Sequence, residues 1–294
     1  MKFGLNTLSL FVGGAPAELM ADVAQCAEDL GFDSMWMGHH VQFPKTIVSE
    51  YPYGRNPMTS ATPRLDTFVT LTYLAAKTTT MRFGSGVYLA PMIDPLVSAR
   101  AIMSADYLSG GRIMLGLGVG WCEEEFAMLG QDFASRGRRT DEIIALFREL
   151  FTQETIHHQG EFYRYEPINF EPKPIQKPWP PMYWGGISPP ALRRAAGLDG
   201  LFMPLNDIEA VRRAVDTVRK LREEGGKGDE PYDFTAVTPF PMTEEAVRAM
   251  EEIGVCRLTF DLGITALEAT PAPVSPTFKD LSSNLRAIAG RFIG

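Results

Sequence analysis

The sequence predicts an α/β fold, a (β/α)8 barrel, on three observations. Eight short apolar runs alternate with segments of helical spacing from one end of the chain to the other. Such runs suit buried parallel strands, and the segments between them suit crossover helices. Eight strand–helix pairs within 294 residues also match the length such barrels use. Finally, the segment after the first run, LSLFVGG at 8–14, lacks the GxGxxG turn expected of the alternative, a doubly wound open sheet.

The candidate strands are 3–7, 34–37, 82–88, 113–117, 182–184, 201–203, 234–238 and 255–260. The first helix runs from Pro16 to Leu30, with Leu19, Val23, Ala27 and Leu30 on one face. Proline suits its first turn and Gly31 its C-terminal cap. Asp94-Pro95 opens a helix carrying Leu96, Ala99, Met103 and Tyr107, and Gly110-Gly111 stops it. Asn206 with Glu209 resembles a capping box ahead of Ile208, Val211, Val215 and Val218. Leu281, Leu285, Ile288 and Phe292 line the last helix.

Two stretches exceed a minimal barrel. Residues 39–64 form a long loop after the second strand, and long loops in compact domains are usually functional or disordered. Residues 154–181 read as an insertion before the fifth strand: a hairpin turning at Gln159-Gly160, then a proline-rich return. The insertion is expected to lack a core of its own, so 1–294 reads as a single barrel domain.

Composition narrows the function classes. A net charge of −8 argues against nucleic acid, which selects basic surfaces. No run of about 18 apolar residues offers a membrane span. Cys26, Cys122 and Cys256 are too far apart for a CxxC metal site or a disulfide framework. The N-terminus reads as a strand rather than a signal peptide, so a cytoplasmic protein is expected.

Three candidate strand ends are rich in glycine: Gly84-Ser85-Gly86, Gly116-Leu117-Gly118-Val119-Gly120 and Gly185-Gly186. The second is followed by Glu123-Glu124-Glu125, which suits a helix start but repels phosphate, so it is no dinucleotide loop. Either these glycines make room in the barrel wall, or they let a flat ring approach the backbone at the mouth. At Gly185-Gly186-Ile187-Ser188-Pro189, a serine cap precedes a helical proline; exposed N–H groups there suit a phosphate, and a plain capped helix is the alternative.

Acid–base groups at the strand ends are few: Asn6, Thr7, His39, His40, Ser85, Tyr88, Thr238 and Asp261. There is neither a strand lysine for a Schiff base nor a His-x-His metal pair, which leaves the hard chemistry to an organic cofactor. His39 and His40 are two of four histidines and stand side by side. Adjacent strand residues face opposite ways, so one is expected at the mouth and the other against the helix layer. His157 and His158, in the insertion, read as structural or exposed.

The stretches LGFDSMWMGHH, YPYG, LSGGRIMLGLGVGWCEEEFAMLGQDFASRGRRTDE, HHQGEFYRYEPINFEPKPIQKPWPPMYWGG and SPPALRRAAGLDG resemble the bacterial luciferase-like superfamily. Within it they resemble the subgroup of coenzyme F420-dependent oxidoreductases. The likeness covers most of residues 1–204. It implies a barrel that binds a flavin or deazaflavin at the C-terminal strand ends and passes a hydride to or from a small organic substrate. By the resemblance His39 is the catalytic histidine near the ring, and His40 is positional. Gly86-Val87 maps to a bulge with a non-prolyl cis peptide after the third strand. Gly118 and Gly120 border the ring, and Gly185, Gly186, Ile187 and Ser188 meet the phosphate.

Tyr51, Tyr53 and Met58 are expected to wall the substrate cavity. Arg136, Arg138 and Arg139 would meet an anionic cofactor tail or form a solvated basic turn, and the role of Glu123 and Glu124 is open. Two positions depart from the pattern. Gly38 stands where F420-dependent sugar-phosphate dehydrogenases carry an acidic residue, and Val119 where FMN-using members often carry arginine. The alternatives are an FMN-dependent monooxygenase served by a flavin reductase, and a non-catalytic flavin-binding paralogue. Members are often homodimers.

Overall fold

The computed structural model describes residues 1–7, 10, 14–52, 58–204, 207–238, 243–261, 264–265, 270–271 and 277–293. Eight parallel strands close into a barrel in chain order: β1 (Lys2–Asn6), β2 (Ser34–Met37), β3 (Arg82–Leu89), β4 (Ile113–Gly118), β5 (Met182–Gly185), β6 (Gly200–Met203), β7 (Asp233–Thr238) and β8 (Arg257–Asp261). Every run read from the sequence is a strand, its ends moved by two residues at most. A short antiparallel ribbon, β9 (Ile264–Thr265) with β10 (Thr270–Pro271), follows.

The described helices are α1 (Ala17–Asp29), α2 (Thr67–Ala75), α3 (Pro95–Leu108), α4 (Glu123–Met128), α5 (Arg136–Thr152), α6 (Pro189–Ala196), α7 (Ile208–Glu224), α8 (Glu244–Ile253) and α9 (Phe278–Phe292). Asp94 caps α3 by accepting the N–H groups of Leu96 and Val97. Three local expectations need correction. Pro16 is the cap residue before α1 rather than part of its first turn. Tyr107 is 54% exposed, because the inward face of α3 turns through Ala99, Ile102 and Met103 instead. The cap of α7 is Asp207, whose carboxylate accepts from Glu209 and Ala210, while Asn206 lies outside the described residues.

Strand alternation builds two apolar layers. Met35 and Met37 face the helices, whereas Trp36 joins Met114, Tyr183 and Phe202 in the barrel interior. The indole of Trp36 needs Gly84: a Cβ there would lie 2.3 Å from it. At the N-terminal end the interior is closed by Arg257, fully buried between Asp33 at 2.7 Å and Asp233 at 2.8 Å.

The insertion before β5 lies against α5. It forms antiparallel bridges at Ile156–Ile168 and Gln159–Arg164 rather than a regular hairpin. Its buried Ile156 and Phe170 join the main core. Glu142 of α5 accepts the N–H groups of Phe162 and Tyr163, and His158 sits between Glu142 and Glu149.

Candidate active site

The described C-terminal ends of β2 to β5 carry the features that bear on chemistry. The stretch of β3 from Ser85 to Tyr88 faces the shorter stretch of β4 from Leu115 to Leu117, so β3 carries one extra residue there, a β-bulge. The Gly86–Val87 peptide in it is cis, and the bulge lies within β3 rather than after it. The bulge explains the glycines. A Cβ at Gly118 would stand 2.6 Å from Val87, one at Gly185 2.4 Å from Val87, and one at Gly116 2.1 Å from the Ser85 carbonyl. Gly116, Gly118 and Gly185 therefore make room for the bulge.

Gly120 and Gly186 take φ values of +83° and +106°, which favour glycine. The Gly186 N–H donates to the Phe202 carbonyl, and Ile187 packs on the main core. Ser188 Oγ caps α6 by accepting from Ala191. Thr7, Ser85 and Tyr88 are likewise occupied, bonding the Trp36 carbonyl, the Gly116 carbonyl and Ser98. The Thr238 side chain lies outside the described residues.

The acidic run is a clamp for the long loop after β2. Glu125 is fully buried. One of its oxygens accepts the N–H groups of Val41 at 2.7 Å and Gln42 at 3.1 Å, and the other meets His40 Nδ1 at 2.6 Å. Glu124 accepts from Val48 at 2.6 Å and Ser49 at 3.0 Å. Burial alone would raise its carboxyl, but those bonds, with one from the Ser49 side chain, hold it down at about 2. The Glu123 N–H donates to Ser49 Oγ. These residues thus fix the loop, the role the sequence left open.

The two histidines lie the other way round from expectation. His39 is buried behind the mouth, its ring 4.4 Å from that of Tyr88, which packs on Phe68 of α2. Its Nδ1 accepts the Leu89 N–H at 3.3 Å, so the neutral ring carries its proton on Nε2. Burial, and then the neighbouring His40, press its pKa down to about 4. His40 instead lines a small, partly open apolar cleft. Met37 and Gly38 complete its β2 side, and Met58, Thr62, Pro63, Arg64 and Leu65 come from the loop. The alternation argument fails because β2 ends at Met37, before either histidine.

Phe43 backs the cleft, 4.3 Å from the His40 ring and 4.2 Å from the Arg64 guanidinium. Trp121 packs beyond it at a tilt, and Tyr51 meets Trp121 edge-on at 5.1 Å. Of the expected cavity wall, Met58 lines the cleft, Tyr51 stands behind Trp121, and Tyr53 lies outside the described residues. Among the described residues, the buried Nε1 of Trp121 and Nε of Arg64 meet no hydrogen-bond partner.

Arg136 spans the carbonyls of Gly120 and Phe133, Arg138 pairs with Glu161, and Arg139 is buried against Gln131 and Asp132. Arg136 and Arg139 are thus engaged within the fold, while Arg138 forms a surface ion pair. Sequence reading missed Glu125, Phe43 and Arg64. Only the acidic run itself, facing a long loop, hinted at the first. Among the described residues, no cluster of three or more His, Cys, Asp or Glu side chains could hold a metal ion, and no helix is long and apolar enough to cross a membrane.

The chain is a closed parallel barrel whose apolar cleft and His40–Glu125 pair lie at the C-terminal end, the end where barrel enzymes place their active sites. Residues 1–280 match the luciferase-like monooxygenase family, and the chain belongs to it. An uncharacterized protein of Mycobacterium tuberculosis is 34% identical over 81% of this chain and 85% of its own. The FMNH2-dependent dimethylsulfone monooxygenase of Pseudomonas putida is 30% identical over 53% of this chain and 44% of its own. The 5,10-methylenetetrahydromethanopterin reductase of Archaeoglobus fulgidus is 26% identical over 85% and 67%.

Among solved structures, a monooxygenase from Streptomyces bottropensis superposes with TM-score 0.76 at 19% identity, covering 100% of this chain and 99% of its own. The coenzyme F420-dependent tetrahydromethanopterin reductase of Methanopyrus kandleri does so with TM-score 0.75 at 15% identity, covering 99% and 98%. Members of this family are oxidoreductases and monooxygenases that act on small molecules.

Proposed function

We propose that the protein is an F420-dependent oxidoreductase that passes a hydride between the deazaflavin and a small organic substrate. The observation that carries this reading is the His40–Glu125 pair on the wall of the apolar cleft. With Nδ1 held by Glu125, Nε2 is the nitrogen left to give or take a proton there. Glu125 fixes the ring's orientation, as an orienting carboxylate does for a working imidazole. His39, kept neutral, ties the end of β2 to β3.

The mouth suits a flat ring with a polar edge. Gly86 and Val87 are only half-buried, and a Cβ at Gly38 would meet nothing nearer than the Gly86 carbonyl at 3.7 Å. A deazaflavin, when bound, supplies the hydride acceptor or donor. Gly186, Ile187 and Ser188 at the start of α6 are proposed to receive its phosphate.

Val119, standing where FMN-using members of the resembled superfamily often carry arginine, supports F420 over FMN. The identity to an FMNH2-dependent enzyme favours a second reading, an FMN monooxygenase served by a reductase. A side-by-side titration with F420 and FMN decides between them. F420 is expected to bind at least tenfold more tightly. Tighter FMN binding with reductase-coupled oxygen uptake would move the assignment, and binding of neither would indicate a cofactor-free paralogue. A homodimer is also proposed, supported by the exposed apolar residues Val69 of α2 and Val97 and Leu108 of α3.

A further inference from the structure

The described glycines near the C-terminal ends of β2 to β5 fall into two groups. In the first, the fold explains why there is no side chain. Gly84 makes room for Trp36, and Gly116, Gly118 and Gly185 make room for the bulge. A Cβ on Gly86 would press the Phe202 ring at 3.0 Å, and Gly120 and Gly186 take left-handed backbone angles.

Gly38 stands in the second group. Its backbone is not left-handed, and the residue is exposed. Among the described residues, a Cβ there would meet nothing nearer than the Gly86 carbonyl at 3.7 Å, an ordinary contact. Folding therefore does not require a glycine at this position. The backbone around it is nevertheless held in place. Thr67 Oγ1 donates to the Gly38 carbonyl at 3.2 Å, and the next N–H, that of His39, donates to the Val87 carbonyl at 3.2 Å. Gly38 thus lines the cleft beside His40 and faces the bulge of β3, on a backbone pinned to α2 and to that bulge.

A bare Cα on a pinned, exposed backbone lets a ligand approach closely. The ligand that gains most is a flat one, because its whole face can rest where a side chain would otherwise project. We propose that Gly38 is the specificity-determining position of this site: the face of a ligand's ring lies against its bare Cα, next to His40, and a side chain there shuts the ring out. The inference rests on the oxidoreductase reading, in which that ring is the deazaflavin's.

The test is a fluorescence titration of the full chain with two probes, lumichrome and F420. Lumichrome is a flat tricyclic ring with neither a ribityl chain nor a phosphate, so it reports on the ring's seat alone. It is expected to bind the unaltered protein. Gly38→Leu should weaken it about tenfold or more, the range of steric overpacking, and Gly38→Ala should weaken it less. The urea midpoint of Gly38→Ala should hold or rise slightly, because alanine fits this backbone and restricts the unfolded chain. Gly84→Ala should lower the midpoint, since its Cβ would lie 2.3 Å from Trp36. Gly38→Ala carries the binding test if Gly38→Leu is not folded.

No lumichrome binding to the unaltered protein, or unchanged binding in the folded variants, overturns the proposal. A lowered midpoint for Gly38→Ala overturns it too, by showing that the fold itself needs the glycine. Lumichrome binding that depends on Gly38, with no binding of F420, sinks the F420 reading alone. F420 binding that survives Gly38→Leu sinks the inference alone.

Discussion

At the N-terminal end of the barrel, Arg257 is completely buried and pairs with Asp33 and Asp233; at the C-terminal end, Glu125 is as deeply buried and pairs with His40 at 2.6 Å. Around Arg257 the neighbours turn on one another. Asp233 also accepts from Tyr183, Thr235 and Cys256, and Arg257 reaches Thr235. Around Glu125, two loop N–H groups and one imidazole nitrogen use up the carboxylate, and the imidazole borders a cleft. Burying a charge therefore does not by itself mark a site. The distinction is that one member of the C-terminal pair keeps a titratable atom next to a cavity.

The largest expected effect breaks the N-terminal pair. Arg257→Leu leaves Asp33 and Asp233 without their cation and should cost about 3–5 kcal/mol in urea unfolding. A loss below about 1 kcal/mol would show that the network is not structural. At the other end, His40→Ala should lower turnover about 10²-fold or more, with little change in unfolding midpoint. Glu125→Gln should lower both, because the loop N–H groups depend on it. Equal rate losses for His39→Ala and His40→Ala would undo the assignment of His40 to the cleft.

Acidification should separate the ends further. His39 takes its proton near its ordinary value of 6.5 when unfolded but only near 4 when folded. Between those values the unfolded state holds more protons, so stability falls as pH drops from 6.5 toward 4, by at most about 1.4 kcal/mol per pH unit. Unfolding curves for His39→Asn should be flatter across that window; an unchanged slope would assign the acid sensitivity elsewhere.

The smallest effect belongs to Glu28, which holds the turn before β3. Burial alone would raise its carboxyl, but the N–H groups of Thr80, Met81 and Thr79 outweigh it and bring it to about 2. Its contribution is present above the ordinary 4.5 and is lost as pH falls toward 2. Glu28→Gln should remove that lower step while leaving the His39 step in place, which stepwise pH melts would resolve.

Local pattern was enough for the architecture. Eight apolar runs, each short and bounded by turn residues, became eight strands, because a buried parallel strand is recognised by its own composition and length. The caps at Asp94 and Ser188 were legible for the same reason, since a cap acts on its own first turn. The glycines were visible, but not what fills the space beside them. Val87 reaches Gly118 and Gly185 only through the register of three neighbouring strands. The histidine pair was visible too, but its direction was set beyond the end of β2, where alternation no longer applies. There Glu125, 85 residues away in the chain, takes the Nδ1 of His40 and the N–H groups of the loop. Arg64 drew no attention in the sequence, because its place over Phe43 is a property of the loop's packing. Contacts between distant segments leave no periodicity to read, so the strands were decided by the sequence and the orientation of the site by the tertiary structure.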